Sequence, residues 1–202
     1  HMAVTKTDFF LTGSSDGHLK FWKKVAEGVE FVKHYRAHLG PIVSLAVSHD
    51  GAHCASVSSD KSAKVFDVVN YDMMSMMRLP FVPACVEWLN TTREAQLKFV
   101  IADATEPSIH IYDAHSGTAT PLHTIQVAKP LTQMRYVPNH ECIITADVAG
   151  MLDYFSCSSY KFPSEVVKFK FKMDTDLYAL AKAKTSVSAL EVSPDGEQFV
   201  TT

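Results

Sequence analysis

Four stretches of this chain share one pattern, and their spacing constrains the fold more than any other feature. They are residues 9–22 (FFLTGSSDGHLKFW), 53–66 (HCASVSSDKSAKVF), 98–112 (KFVIADATEPSIHIY) and 142–155 (CIITADVAGMLDYF). Each reads as an apolar strand, a small polar turn containing Asp, and an alternating strand that closes on an aromatic. The closing aromatics Trp22, Phe66, Tyr112 and Phe155 follow one another at steps of 44, 46 and 43 residues. Such a period marks a repeat in which one unit cannot bury its apolar face alone and stacks on its neighbours.

Period and chemistry together select the unit. Helical repeats of this length carry a 3.6-residue periodicity, whereas these stretches alternate every two residues. A period near 40–45 with four strands per repeat fits a WD-repeat β-propeller; kelch repeats run longer and carry a glycine pair that is missing here. The flanking runs supply more strands: 42–48 (IVSLAVS), 131–138 (LTQMRYVP), 186–193 (SVSALEVS) and, after the Pro194-Asp195-Gly196 turn, QFVTT. In that turn proline presets φ and glycine accepts positive φ. Less regular outer strands are expected at 29–33, 72–77, 120–125 and 166–172, and a short helix at 174–184 capped by Asp174 or Thr175.

The expected architecture is therefore all-β. It has blades at about 1–34, 35–78, 79–126 and 127–172, an insertion at 173–184 and the start of another blade at 185–202. The 44-residue step sets Ala3 level with Val47, so His1-Met2 falls inside a strand and is not read as a cloning remnant. About four and a half blades make an arc of a larger ring, because propellers protect their strand edges by closing.

Composition narrows the function. The chain has 202 residues, 47% of them apolar, with a net charge of −3. Disorder is excluded, and no global attraction to polyanions is implied. No apolar run reaches the length that spans a bilayer. Cys54, Cys85, Cys142 and Cys157 form no Cys-x-x-Cys pair and read as reduced structural thiols of an intracellular protein. No metal site, cofactor loop or small-molecule substrate site is expected.

His38, Ser56 and Asp60 have the residue types of an acyl-transfer triad. A second reading explains them better. In WD repeats such a His, Ser or Thr and Asp form a buried hydrogen-bonded chain ending on a Trp indole. Ser56 and Asp60 lie ten and six residues before Phe66, and Thr12 and Asp16 lie ten and six before Trp22. The set is degenerate: Phe66 lacks the indole N–H, Asp103 lies nine residues before Tyr112, and Ala149 occupies the place six before Phe155. Lys168, Phe169, Lys170, Phe171 and Lys172 alternate charge and aromatic rings, which suits either single-stranded RNA or an ordinary outer strand. Met73, Met74, Met76 and Met77 suit an adaptable surface or a packed outer strand.

Several longer runs carry a closer resemblance: 16–24 (DGHLKFWKK), 28–40 (GVEFVKHYRAHLG), 64–74 (KVFDVVNYDMM), 160–163 (YKFP) and 172–184 (KMDTDLYALAKAK). Together they resemble the N-terminal propeller of the peptidylprolyl isomerase domain and WD-repeat-containing proteins, a family of nuclear cyclophilins. The resemblance implies a nuclear location, protein partners in spliceosomal complexes that act in mRNA splicing, and an isomerase domain that is not among these residues. The chain itself is expected to be a non-catalytic scaffold. Its partner-binding candidates are Arg36, Leu39 and Lys129, on loops carried by a rigid framework.

Overall fold

The computed structural model describes residues 1–90, 96–163 and 186–202. Five antiparallel sheets follow one another in chain order. The first contains β1 (Met2–Val4), β2 (Phe9–Gly13), β3 (His18–Val25) and β4 (Gly28–Arg36). The second contains β5 (Ile42–Val47), β6 (His53–Ser58), β7 (Ser62–Asp67) and β8 (Asp72–Arg78). The third contains β9 (Pro83–Leu89), β10 (Lys98–Asp103), β11 (Ser108–Asp113) and β12 (His123–Gln126). A fourth sheet has β13 (Leu131–Val137), β14 (Cys142–Asp147) and β15 (Leu152–Ser156), and a fifth pairs β16 (Leu190–Val192) with β17 (Phe199–Thr201). Each is an up-and-down meander, and no strand of the fifth is hydrogen-bonded to the first. This is an open β-propeller arc.

The first strands of successive sheets pack side by side: β1 on β5, β5 on β9, β9 on β13 and β13 on β16. They line the inner side of the arc. The sheets pack face to face, and the core lies in the seams between them. Phe9, Leu11, Leu19 and Phe21 of the first blade meet Leu45, Cys54, Phe66 and Val68 of the second. Ala55, Val57, Ala63, Val65 and Met77 of the second meet Val86, Trp88, Phe99, Ile101 and Tyr112 of the third. Val100, Ala102, Ile109 and Ile111 of the third meet Met134, Ile143, Phe155 and Cys157 of the fourth. Burying each of the larger aliphatic and aromatic side chains among them contributes about 1.5–3 kcal/mol.

The closing aromatics sit on the face turned to the preceding blade. Phe66, Tyr112 and Phe155 are fully buried there. Trp22, in the first blade, is half-buried and stacks edge-on against Phe31, with ring centroids 5.5 Å apart.

Some strands differ from expectation. The first hairpin is one residue shorter than its counterpart: Val4 pairs with Phe10 as Val47 pairs with Cys54, so Val4, not Ala3, is level with Val47. β12 starts at His123, after Pro121, which has no backbone N–H to donate to the ladder. β9 gives no alternating signal, because six of its seven residues are buried. A strand covered on both faces reads as a continuous apolar run. The expected outer strand at 166–172, its Lys168–Lys172 run and the helix at 174–184 lie outside the described residues.

Tight turns lock the blades together. Gly17 has a φ of +81°, and a Cβ there would come within 2.2 Å of the His38 carbonyl oxygen. The close approach lets the His38 N–H donate to the Gly17 carbonyl at 2.9 Å, tying the second blade's entry loop to the first blade's turn. Gly17→Ala is therefore expected to lower stability by more than about 2 kcal/mol, through backbone strain and displacement of that loop. Urea denaturation of the variant beside the parent checks this.

Candidate functional site

One buried polar chain and one exposed loop share the entry to the second blade. His38 follows β4, and its side chain is sealed, at 2% exposure for the residue. Its Nδ1 lies 2.8 Å from Ser62 Oγ and its Nε2 lies 2.8 Å from Ser56 Oγ. Ser62 Oγ donates to Asp60 Oδ1 at 2.6 Å. That assigns the protons along the chain. Because the Ser62 hydrogen is committed to the carboxylate, Ser62 Oγ accepts from His38 Nδ1–H. The other ring nitrogen then accepts from the Ser56 hydroxyl. Asp60 also accepts the N–H groups of Leu39, at 2.8 Å, and Ser62, at 3.0 Å.

The electrostatics agree with a neutral imidazole. Burial holds the His38 pKa below its ordinary value, and nearby Asp60 only partly offsets that. Burial also acts on Asp60, but the hydrogen bonds from Ser62 and Leu39 outweigh it and hold the carboxyl low.

The proton order resembles that of a catalytic triad, but access decides against one. Ser56 is 0% exposed, inside a seam of packed sheets, so no acyl group reaches its oxygen. The hydrolase reading of His38, Ser56 and Asp60 is thereby overturned. Ser62 is the residue the sequence reading overlooked. Its signal was its position two residues after Asp60, where a hydroxyl can bond the carboxylate of an Asx turn.

The other blades show what remains of this arrangement. Trp22 Nε1–H donates to Thr12 Oγ1 at 3.0 Å. Asp16 accepts from the Ser14 hydroxyl, which together with the His18 backbone N–H keeps its carboxyl low. Phe66 offers Ser56 no such donor. In the third and fourth blades Asp103 and Asp147 cap the corresponding turns, taking the N–H groups of Thr105 and Glu106 and of Ala149 and Met151. The turn chemistry persists there after the rest of the network has gone.

The three partner-binding candidates are all exposed and lie on one face of the arc, at or in the connections that join one blade to the next. Arg36 ends β4 and Leu39 follows His38. Lys129 lies two blades further on, beside a groove of about 400 Å³ lined by Val127, Leu131, Met151, Leu152 and Phe162. Leu39 and Lys129 thus belong to separate seams.

A second cluster was not legible in the sequence. Glu87 on β9, Arg135 on β13 and Glu191 on β16 converge on a cleft of about 200 Å³ at the inner side of the arc. Arg135 donates to Glu191 Oε1 and to the Met134 carbonyl, both at 2.8 Å. Burial pushes Glu87 up to about 7, against the attraction of Arg135. No motif announces these residues, because three repeats bring them together. Among the described residues no cluster of His, Cys, Asp and Glu forms a metal site. The four cysteines are free and buried, and burial raises their thiol pKa values, that of Cys85 to about 12.

With the geometry in hand, the comparisons with known proteins decide the family. Residues 1–140 match the family model described as WDR19 second beta-propeller. The chain belongs to this WD-repeat β-propeller family. It is also 46% identical over 200 residues to peptidyl-prolyl cis-trans isomerase CYP71 of Arabidopsis thaliana, covering 98% of this chain and 32% of that protein. Its identity to the human peptidylprolyl isomerase domain and WD repeat-containing protein 1 is 44% over 205 residues, covering 100% of this chain and 31% of that protein. Its identity to peptidyl-prolyl cis-trans isomerase 9 of Schizosaccharomyces pombe is 31% over 191 residues, covering 94% and 31%. The resemblance to the isomerase and WD-repeat proteins thus holds along the whole chain. The chain spans about a third of the length of these relatives. That third is their repeat region, so the isomerase domain lies outside it.

Two measurements test the site. The unfolded state takes up a proton on His38 near pH 6.5 while the folded state resists it. Stability is therefore expected to fall as pH drops below about 6.5. Thermal melts between pH 7.5 and 5.5 should show a weaker dependence in His38→Asn than in the parent. Glu87 has the opposite sign, since its folded pKa lies above the ordinary value of 4.5. The folded state gains relative stability below about pH 4.5 and loses it as pH rises through 7. Glu87→Gln is expected to be stabilising at pH 8, by about 1–3 kcal/mol, and close to neutral at pH 5. Urea midpoints at the two pH values check this.

Proposed function

We propose that this chain is a non-catalytic interaction scaffold, the WD-repeat part of a nuclear, spliceosome-associated peptidylprolyl isomerase. In the whole protein it would hold partner proteins while a separate domain isomerises prolyl bonds. The observation that carries this reading is the contrast at the second blade's entry. His38 and Ser56 are sealed in a seam, whereas the loop beside them is pinned by hydrogen bonds and presents Leu39 at 89% exposure. Recognition loops on a rigid framework have this form. The isomerase relatives support the family context, and the burial of Ser56 and His38 supports a binding role.

The test is quantitative affinity capture with full-length protein, comparing the parent with Arg36→Glu. Circular dichroism should be unchanged, because Arg36 is an exposed strand end. Recovery of spliceosomal proteins is expected to fall several-fold. Unchanged recovery, or capture of no spliceosomal protein by the parent, overturns the reading.

A further inference from the structure

The seam between the first two blades carries an exposed apolar residue beside three cations that have no ion-pair partner among the described residues. Leu39 is 89% exposed, yet its backbone has little freedom. Its N–H is held by Asp60 Oδ2 at 2.8 Å. The preceding N–H, of His38, is held by Gly17 of the first blade, and the following carbonyl, of Gly40, accepts from Ser58 Oγ at 3.1 Å. A Cβ on Gly40 would lie 2.8 Å from Ser59 Oγ, so the loop is closely packed. An apolar side chain on a pre-ordered backbone loses little entropy on binding, which is how anchor residues of interfaces act.

Three cations lie near it, at the ends of β4 and β8 and in the turn after Asp60. Arg36 lies three residues before Leu39. Lys61 lies directly after Asp60, and its carbonyl accepts the Leu79 N–H at 2.7 Å, next to Arg78. Arg78 itself pairs with Ser62 across β7 and β8. None of the three has an ion-pair partner among the described residues. The acid nearest Leu39, Asp60, accepts from the Leu39 N–H and from the Ser62 hydroxyl and N–H. Asp16, the nearest exposed acid in the adjoining turn, is engaged by Ser14 and the His18 N–H.

Lys61 adds an independent observation. It has a φ of +62° at the turn position where the first blade has Gly17, at +81°. A side chain held in that left-handed region costs about 1–2 kcal/mol. Glycine would serve the turn without that cost. Arg36, Lys61 and Arg78 outnumber the ionised carboxylates of Asp16 and Asp60 beside them, so the seam keeps an excess of positive charge in a chain whose net charge is −3.

We propose that this seam binds an acidic protein segment with one large apolar side chain, which rests on Leu39 while its carboxylates face Arg36, Lys61 and Arg78. The proposal rests on the scaffold reading and names the class of partner. Charge complementarity supplies orientation and encounter rate, and the leucine contact supplies affinity. Single-stranded RNA fits less well, because the centre of the patch is a leucine, which gives a base no ring to stack on.

The test uses fluorescence anisotropy with full-length protein and a labelled twelve-residue peptide of Asp and Glu flanking a central Leu-Phe. The comparison probes are the same peptide with Ser-Ser at the centre, its lysine counterpart and a twelve-nucleotide oligouridylate. The acidic Leu-Phe peptide alone is expected to bind well. Its affinity should drop at least tenfold in the Arg36→Glu, Lys61→Glu double variant. In Leu39→Ser it should drop about fivefold, with the salt dependence retained. No binding, equal binding of the Ser-Ser peptide, or insensitivity to these variants overturns the proposal. Tighter RNA binding that the same charge reversals abolish would reassign the patch to nucleic acid and also overturn it. If partner proteins are still captured while the peptide neither binds nor competes, this inference falls and the scaffold reading stands. Capture of no partner protein removes the scaffold reading even where the peptide binds.

Discussion

Every blade depends on the sheet-to-sheet seam. A four-stranded meander has two faces, and an isolated one would leave large apolar side chains in water. Here Phe21, Phe66, Trp88, Phe99, Tyr112 and Phe155 are removed from solvent only because a neighbouring sheet covers them. The strand ladders stay within each sheet and only a few backbone bonds, such as His38 N–H to Gly17 and Ile42 N–H to Ser14, cross a seam, whereas most apolar burial arises between sheets. The arrangement follows from the repeat: a unit that cannot close its own core stacks on the next.

The polar chain at His38 is subordinate to that packing. His38 and Ser56 are buried by the first seam, and once buried they must be satisfied by their neighbours. The directed order from Ser56 through His38 and Ser62 to Asp60 does so in the second blade. The first blade keeps the Trp22–Thr12 bond and its Asp16 turn, and in the third and fourth blades the network has shrunk to its turn-capping aspartate. The blades without it still form regular sheets, so the network adds rigidity to one loop and is not a condition of folding. Rigidity is what Leu39 requires, since an exposed leucine on a wandering loop would be a poor anchor.

Much of this was legible in the sequence. The closing aromatics set the period, and the Asp-containing turns marked the second and third strands of each blade closely. The inner strand β9 was invisible, because burial on both faces erases the alternation by which a strand is recognised. Ser62 was passed over because a serine in a turn is common, and its role follows only from the direction of its hydrogen bond to Asp60. The Glu87, Arg135 and Glu191 cluster had no local signature at all. Its members lie on three innermost strands, and only the curvature of the arc brings them to one cleft.

The buried thiols have a use that follows from where they sit. Cys54 lies in the seam between the first and second blades, whereas Cys85 and Cys157 lie between the third and fourth. A thiol reagent reaches each only when its own seam parts. The labelling rate of Cys54 and that of the other pair thus act as separate clocks for two openings along one chain. Their ratio would show whether the arc breathes as a unit or blade by blade.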